Sequence, residues 1–291
     1  MAARRYLQLD VFADRPDSGN PLGVVLDAAD LTTASMQALA AWLNLSETVF
    51  FLPPDQAGAD YRIRIFTPGS ELPFAGHPSV GAAWAAVETG LARGNHGRLV
   101  QQCPAGLLPA RVEETARGRA ISLRSPAAHR VDMPMSDLPD DLRAIAAPGI
   151  PVELWNNGPS WWLVQAASAH QVRALRPNLA AIAAWTNATN ATGVAVFAAE
   201  AAGSHDLVLR AFCPGDAVNV PKEDPVTGSA NALAAAALAQ RNSLPGPSGR
   251  YVASQGREVG RDGRVQVEVD GQGQVWIGGY VQPVIHGTLA W

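Results

Sequence analysis

The sequence predicts a mixed α/β protein built as two similar domains from an internal duplication, with a ligand site in the cleft between the halves. Three observations lead there. First, segments recur in order at close to half the 291-residue length. Ala38-Leu39-Ala40-Ala41-Trp42-Leu43-Asn44 returns as Ala181-Ile182-Ala183-Ala184-Trp185-Thr186-Asn187, and Arg64-Ile65-Phe66-Thr67-Pro68-Gly69 as Arg210-Ala211-Phe212-Cys213-Pro214-Gly215. Ser79 then pairs with Ser229, and Gly97-Arg98-Leu99-Val100 with Gly249-Arg250-Tyr251-Val252, at offsets that grow smoothly as small insertions would make them. Second, each copy alternates segments of strand period with segments of helix period. Third, each copy has a turn of small residues running into an Ala-rich helix. These are Glu71-Leu72-Pro73-Phe74-Ala75-Gly76-His77-Pro78-Ser79-Val80-Gly81 and Pro221-Lys222-Glu223-Asp224-Pro225-Val226-Thr227-Gly228-Ser229-Ala230-Asn231.

Element by element, residues 6–12 alternate apolar side chains with Gln8 and Asp10, the pattern of a strand. Asp14 to Pro21 is dense in turn residues, and residues 22–26 form a second, apolar strand. From Leu31 the spacing becomes helical, with Met36, Leu39, Ala40 and Leu43 on one face and Thr32 or Thr33 as cap. Asn44-Leu45-Ser46-Glu47-Thr48 ends that helix and Val49-Phe50-Phe51-Leu52 opens a strand, so Glu47 sits at a helix-to-strand junction. Each half reads as strand, strand, helix, strand, strand, helix, strand, strand. The joint falls in the Pro-containing region between Ser125 and Pro151, giving domains of 1–128 and 129–291, with the last strand free to cross back to the first half.

Bulk properties exclude several classes. Hydrophobic content of 47% and charged content of 16% place the chain among globular proteins. A net charge of −4 without any basic cluster argues against nucleic acid or an anionic membrane as partner. Two cysteines, Cys103 and Cys213, give neither a disulfide framework nor metal-ligand spacing, the start from Met1 to Asp10 has no apolar region of signal-peptide kind, and no apolar run approaches membrane-span length. The expectation is a cytoplasmic protein. The six histidines are scattered, and no phosphate-loop, dinucleotide, nucleophile-elbow or zinc motif is present, so neither metal nor cofactor is expected.

The two helix starts bring backbone N–H groups and the positive end of a helix dipole to one spot, where an anion fits. Where the two copies differ, the differences point to a single asymmetric site. Glu47 aligns with Asn190, His77 with Thr227, and Glu223 and Asp224 with Pro73 and Phe74. Glu47 and His77 are then a pair able to exchange protons near neutral pH if their surroundings shift them suitably. Each residue also has a plain reading: Glu47 as a solvated helix end, His77 as a cap of the helix behind it, Asp224 as an N-cap ahead of Pro225, and Ser229 as one more small residue.

Taken together, Asp10-Val11-Phe12, Ser18-Gly19-Asn20-Pro21-Leu22, Asn44-Leu45-Ser46-Glu47-Thr48, Arg64-Ile65-Phe66-Thr67-Pro68, Phe74-Ala75-Gly76-His77-Pro78 and Glu223-Asp224-Pro225-Val226-Thr227-Gly228-Ser229-Ala230 resemble the PhzF-like (phenazine biosynthesis protein F) family, in order from about Tyr6 to the C-terminus. The resemblance implies the diaminopimelate-epimerase fold, each domain a strongly curved mixed sheet wrapped round a central helix. It implies a cofactor-free isomerase of trans-2,3-dihydro-3-hydroxyanthranilate type, with Glu47 as catalytic proton shuttle. His77, Asp224, Ser229 and Ser46 match substrate-binding positions, and amides near Gly76 and Gly228 would hold the substrate's carboxylate. The two-thiol epimerases of this fold carry cysteines where this chain has Ala75 and Pro225. Members are commonly homodimers. The competing expectations are a ligand-binding or regulatory protein that keeps the cleft, and an epimerase of another substrate.

Overall fold

The computed structural model describes residues 3–133, 137–200, 203–214 and 223–291, so Pro221 and Lys222 of the acidic turn, Gly215 of the repeat and residues 134–136 of the Pro-rich joint lie outside the described residues. Two compact units result, Met1–Arg124 with Gly278–Trp291, and Ser125–Ile277. The division falls a few residues ahead of the boundary drawn from sequence.

The first unit contains β1 (Ala3–Val11), β2 (Asn20–Val25), α1 (Thr33–Leu43), β3 (Glu47–Leu52), β4 (Tyr61–Phe66), β5 (Glu71–Leu72), α2 (Gly76–Glu88), β6 (Arg98–Cys103), β7 (Gly106–Thr115) and β8 (Gly118–Arg124). Thr32 caps α1 by accepting from Ser35 N at 3.2 Å, and Asn44 ends it in the left-handed region at φ 52°. Met36, Leu39 and Ala40 face a cluster that includes Tyr6, Val25, Phe50 and Phe66. The central helix is α2. Its Ala/Gly/Val composition leaves no polar face, so it is buried nearly throughout and packs on β1, β2, β3, β4, β6, β7 and β8. Gly81 lets strands approach that helix: a Cβ there would stand 2.4 Å from Leu22 Cδ2.

The second unit contains β9 (His129–Val131), α3 (Asp140–Ile145), β10 (Glu153–Asn156), β11 (Ser160–Gln165), α4 (Ala169–Ala174), α5 (Leu179–Ala188), β12 (Gly193–Ala199), β13 (Leu207–Phe212), β14 (Glu223–Asp224), α6 (Gly228–Gln240), β15 (Arg250–Gln255) and β16 (Gly263–Val269). β17 (Val275–Ala290) then runs on into the first unit, where it pairs antiparallel with β1 from Val11↔Val281 to Ala3↔Ala290. α6 is the counterpart of α2, of equal length and again buried nearly throughout.

The sheets repeat strand for strand. β2–β3 and β4–β6 are parallel in one unit, as β11–β12 and β13–β15 are in the other, and the remaining corresponding pairs are antiparallel. Leu22 faces Glu47 where Trp161 faces Gly193, and Phe66 faces Glu71 where Phe212 faces Glu223. Even the ion pair is kept. Arg64 binds Glu71 at 2.6 Å with its guanidinium 5.1 Å from the Phe66 ring, and Arg210 binds Glu223 at 2.7 Å with its guanidinium 5.0 Å from Phe212.

These registers correct the alignment read from sequence. Residues 38–44 and 181–187 match one helical turn out of step: Trp42 is 70% exposed while Trp185 is 5% exposed and stacks on Trp162. The true partners are the caps Thr32 and Asn178 and the left-handed Asn44 and Asn190. Ala-rich helices match themselves at a one-turn slip, which hides the offset. Glu47 therefore corresponds to Gly193 rather than Asn190, His77 to Ser229 rather than Thr227, and Leu72 rather than Phe74 to Asp224.

Candidate active site

In the first unit, the left-handed turn at Asn44 releases the chain from α1, the half-buried Ser46 follows, and Glu47 opens β3. His77 is the second residue of α2, whose N-cap is Ala75 with no side-chain bond, so His77 does not cap the helix. Its ring is buried between two partners. Nε2 lies 3.2 Å from Glu47 Oε2, and Nδ1 lies 3.3 Å from Asn20 Nδ2. The first contact is within range but off the line of a straight hydrogen bond, as acid/base contacts often are before a substrate is bound. Burial pushes the His77 imidazole down to about 3, so the ring is neutral at pH 7. A neutral ring that accepts from the Asn20 amide at Nδ1 carries its proton on Nε2, directed to the Glu47 side. The exchange of protons between Glu47 and His77 near neutral pH, expected from sequence, is not supported by this environment.

In the second unit, Asp224 ends the short β14 and is not the N-cap of α6; that position is Thr227. Thr227 Oγ1 donates to Asp224 Oδ2 at 2.6 Å. Gly228 opens α6, and the buried Ser229 follows it as His77 follows Gly76. The Trp161 indole donates to Ser229 Oγ at 3.1 Å, and Asn157 Nδ2 donates to the Ser229 carbonyl at 3.2 Å. Gln255 closes the turn from Asp224 to Asn231. The residues gave no signal for Trp161 or Gln255, which stand in no motif, and Asn20 stood only in a turn and in a family motif, with no role assigned.

The phenazine biosynthesis-like protein family profile matches residues 9–287. The chain belongs to this family. Trans-2,3-dihydro-3-hydroxyanthranilate isomerase of Pseudomonas aeruginosa is 35% identical over 275 residues, covering 93% of this chain and 92% of the relative. Antisense-enhancing sequence 1 of Schizosaccharomyces pombe is 32% identical, covering 99% of both. A Bacillus anthracis phenazine biosynthesis protein of the PhzF family superposes with TM-score 0.83 at 26% identity over all of both chains. A hydroxyproline epimerase from Agrobacterium vitis shares the fold alone, with TM-score 0.69 at 15% identity over 99% of this chain and 92% of its own. The PhzF-like protein thus has the diaminopimelate-epimerase fold and is an enzyme of the isomerase class. No helix among the described residues is long and apolar enough to cross a membrane.

Proposed function

We propose that this PhzF-like isomerase moves a proton on a small carboxylate-bearing metabolite with Glu47 as its one acid/base, of the trans-2,3-dihydro-3-hydroxyanthranilate isomerase type. The observation that carries the reading is the asymmetry of the duplication. The first unit sets Glu47 against His77 at 3.2 Å, whereas the equivalent positions of the second unit hold Gly193 and Ser229. Racemisation by two opposed bases needs one on each half. Glycine at the counterpart of Glu47 puts no second carboxylate at that place, and Asp224, the carboxylate of the second unit, is read as a binding group, so Glu47 returns the proton it removes.

On this reading ionised Glu47 takes a proton from one carbon of the substrate, the charge spreads over the conjugated system, and the same carboxyl delivers a proton to another carbon. Neutral His77 lies with Nε2 3.2 Å from the Glu47 carboxylate, placed to donate to it when the contact straightens around substrate, without itself titrating near pH 7. In each unit an amide at a helix start, Gly76 on α2 and Gly228 on α6, has the helix dipole behind it and suits a carboxylate, and Asp224, Ser229 and Ser46 are the polar groups that the family resemblance gives to substrate binding. The family resemblance puts the cysteines of the two-thiol epimerases at Ala75 and Pro225 of this chain, and Cys103 is a buried thiol that burial pushes up, unsuited to a nucleophilic or basic role.

The test is steady-state isomerisation of trans-2,3-dihydro-3-hydroxyanthranilate by wild type and Glu47→Gln, with calorimetric binding of the same compound to both. Loss of turnover with retained binding supports the proposal; unchanged turnover in Glu47→Gln sinks it. The name of the Schizosaccharomyces pombe relative motivates a second reading, a regulatory protein that binds a ligand without converting it. Under that reading wild type binds carboxylates and converts none.

A further inference from the structure

We propose that Gln255 is a positioning residue that sets the direction of the Thr227 hydroxyl and so presents Asp224 to substrate. The inference rests on the reading above that Asp224 binds substrate. Gln255, at the end of β15, is 1% exposed and all its polar capacity is directed at one turn. Its Oε1 accepts from Thr227 N at 2.9 Å and from Asn231 Nδ2 at 3.0 Å. Its Nε2 donates to the Asp224 carbonyl and to Thr227 Oγ1, both at 2.9 Å.

Two of those partners are main-chain groups with fixed roles: the Thr227 N–H can only donate and the Asp224 carbonyl can only accept. They leave the Gln255 amide one orientation, with oxygen towards Thr227 N. The second Nε2 proton then goes to Thr227 Oγ1. A hydroxyl that already accepts there sends its own proton onward, and the acceptor 2.6 Å away is Asp224 Oδ2. The relay therefore runs one way, from amide to hydroxyl to carboxylate, and favours the ionised Asp224 in a single rotamer.

The fold itself does not require the amide. The other unit has Cys103 at the equivalent last position of its strand and builds the same turn, from Leu72 to Ala75, into a helix of equal length. Leu72 there has no carboxylate to aim. The glutamine occurs in the half where the turn carries Asp224.

The experiment reads the Asp224 carboxyl directly, as the ¹³Cγ titration assigned by its loss in Asp224→Asn, in wild type, Thr227→Val, Gln255→Met and the double variant. The proposal predicts that each single variant moves the Asp224 midpoint up and that the double variant moves it no further than Thr227→Val. Equal, additive shifts would show that Gln255 acts independently of the hydroxyl and would overturn it. Should Gln255→Met not fold, the slowly exchanging Thr227 hydroxyl proton of the wild type decides. A resonance that follows the Asp224 titration supports the relay, and one indifferent to it overturns the relay. Thr227→Ser should restore the wild-type midpoint. In turnover of trans-2,3-dihydro-3-hydroxyanthranilate, Gln255→Met is expected to raise KM about tenfold with kcat little changed. If Asp224→Asn leaves KM unaltered while the titrations behave as stated, the substrate-binding role of Asp224 fails and the relay stands.

Discussion

The starts of the two central helices, α2 in one unit and α6 in the other, are the same piece of architecture put to different chemistry. Both are entered from a short strand that carries a Glu bound to an Arg, and that Arg stacks over a Phe in each unit. At the first, Glu47 meets His77 and Asn20 fixes the ring. At the second, Gly193 stands where Glu47 would be, and the Trp161 ring lies against it. A Cβ at Gly193 would be 2.6 Å from Trp161 Cζ3 and 2.3 Å from the Phe212 carbonyl oxygen. The same indole donates to Ser229. The duplication thus kept the ion pair that shapes each turn and changed the side chains set around it. What was kept twice is scaffold; what differs is chemistry.

The sharpest way to break this comparison is at Glu47. Glu47→Gln is expected to lower kcat by about 10³-fold, within the range of a general acid/base, with binding of trans-2,3-dihydro-3-hydroxyanthranilate retained. Calorimetry beside steady-state kinetics checks it.

The shared ion pair is next. Arg210 and Glu223 are 4% and 10% exposed, and Arg210 also donates to the Val172 and Leu175 carbonyls at 3.1 and 2.8 Å. Removing one partner leaves a buried charge alone, so Arg210→Met should cost about 3–5 kcal/mol in urea unfolding. Arg64 and Glu71 are more open, at 19% and 29%, and Arg64→Met should cost visibly less. Equal losses would contradict the distinction.

Gly193→Ala sharpens the difference from Glu47. The added methyl meets a main-chain oxygen and an indole that is itself hydrogen-bonded, so a loss of about 1–3 kcal/mol is expected from overpacking. Glu47→Ala should leave stability within about 1 kcal/mol, and chemical denaturation of the two variants side by side is the check.

The effect spread most gradually, over several pH units, is the pH dependence of stability from His77. Its folded value, about 3, lies below the unfolded 6.5, so between them the unfolded chain binds the extra proton. The His77 contribution is complete above pH 6.5 and declines as pH falls towards 3, by at most about 1.4 kcal/mol per pH unit. His77→Gln should flatten that part of the stability profile, and an unchanged slope would contradict a buried neutral ring.

Much of this was legible in the residues. Strand and helix periods gave the main order of strands and helices in each half, Thr32 its cap, and the junction at Glu47 its place, because alternation and capping are local; the two-residue β5 and β14, the added strand β8 and the short α3 and α4 were too short or too irregular to leave such a period. Correspondence between the halves was less legible. The Ala-rich helices slid past one another by a turn, and only the strand registers Leu22↔Glu47 and Trp161↔Gly193 restored the alignment. His77 and Asp224 each had a capping alternative that sequence could not remove, since the N-cap is decided by main-chain geometry, which assigns it to Ala75 and Thr227. Gln255 was invisible because its role depends on four partners brought together by β15 and the start of α6.

The central claim, one acid/base on one half of a duplicated chain, is tested most directly by NMR of trans-2,3-dihydro-3-hydroxyanthranilate with the protein in deuterated water. Wild type should yield the isomer with its double bond moved and deuterium at the newly protonated carbon, while Glu47→Gln yields neither. A Glu47→Gln protein that still isomerises the compound with deuterium uptake within a few-fold of wild type would contradict the assignment of Glu47. A wild type that leaves the compound unchanged would contradict the assigned substrate.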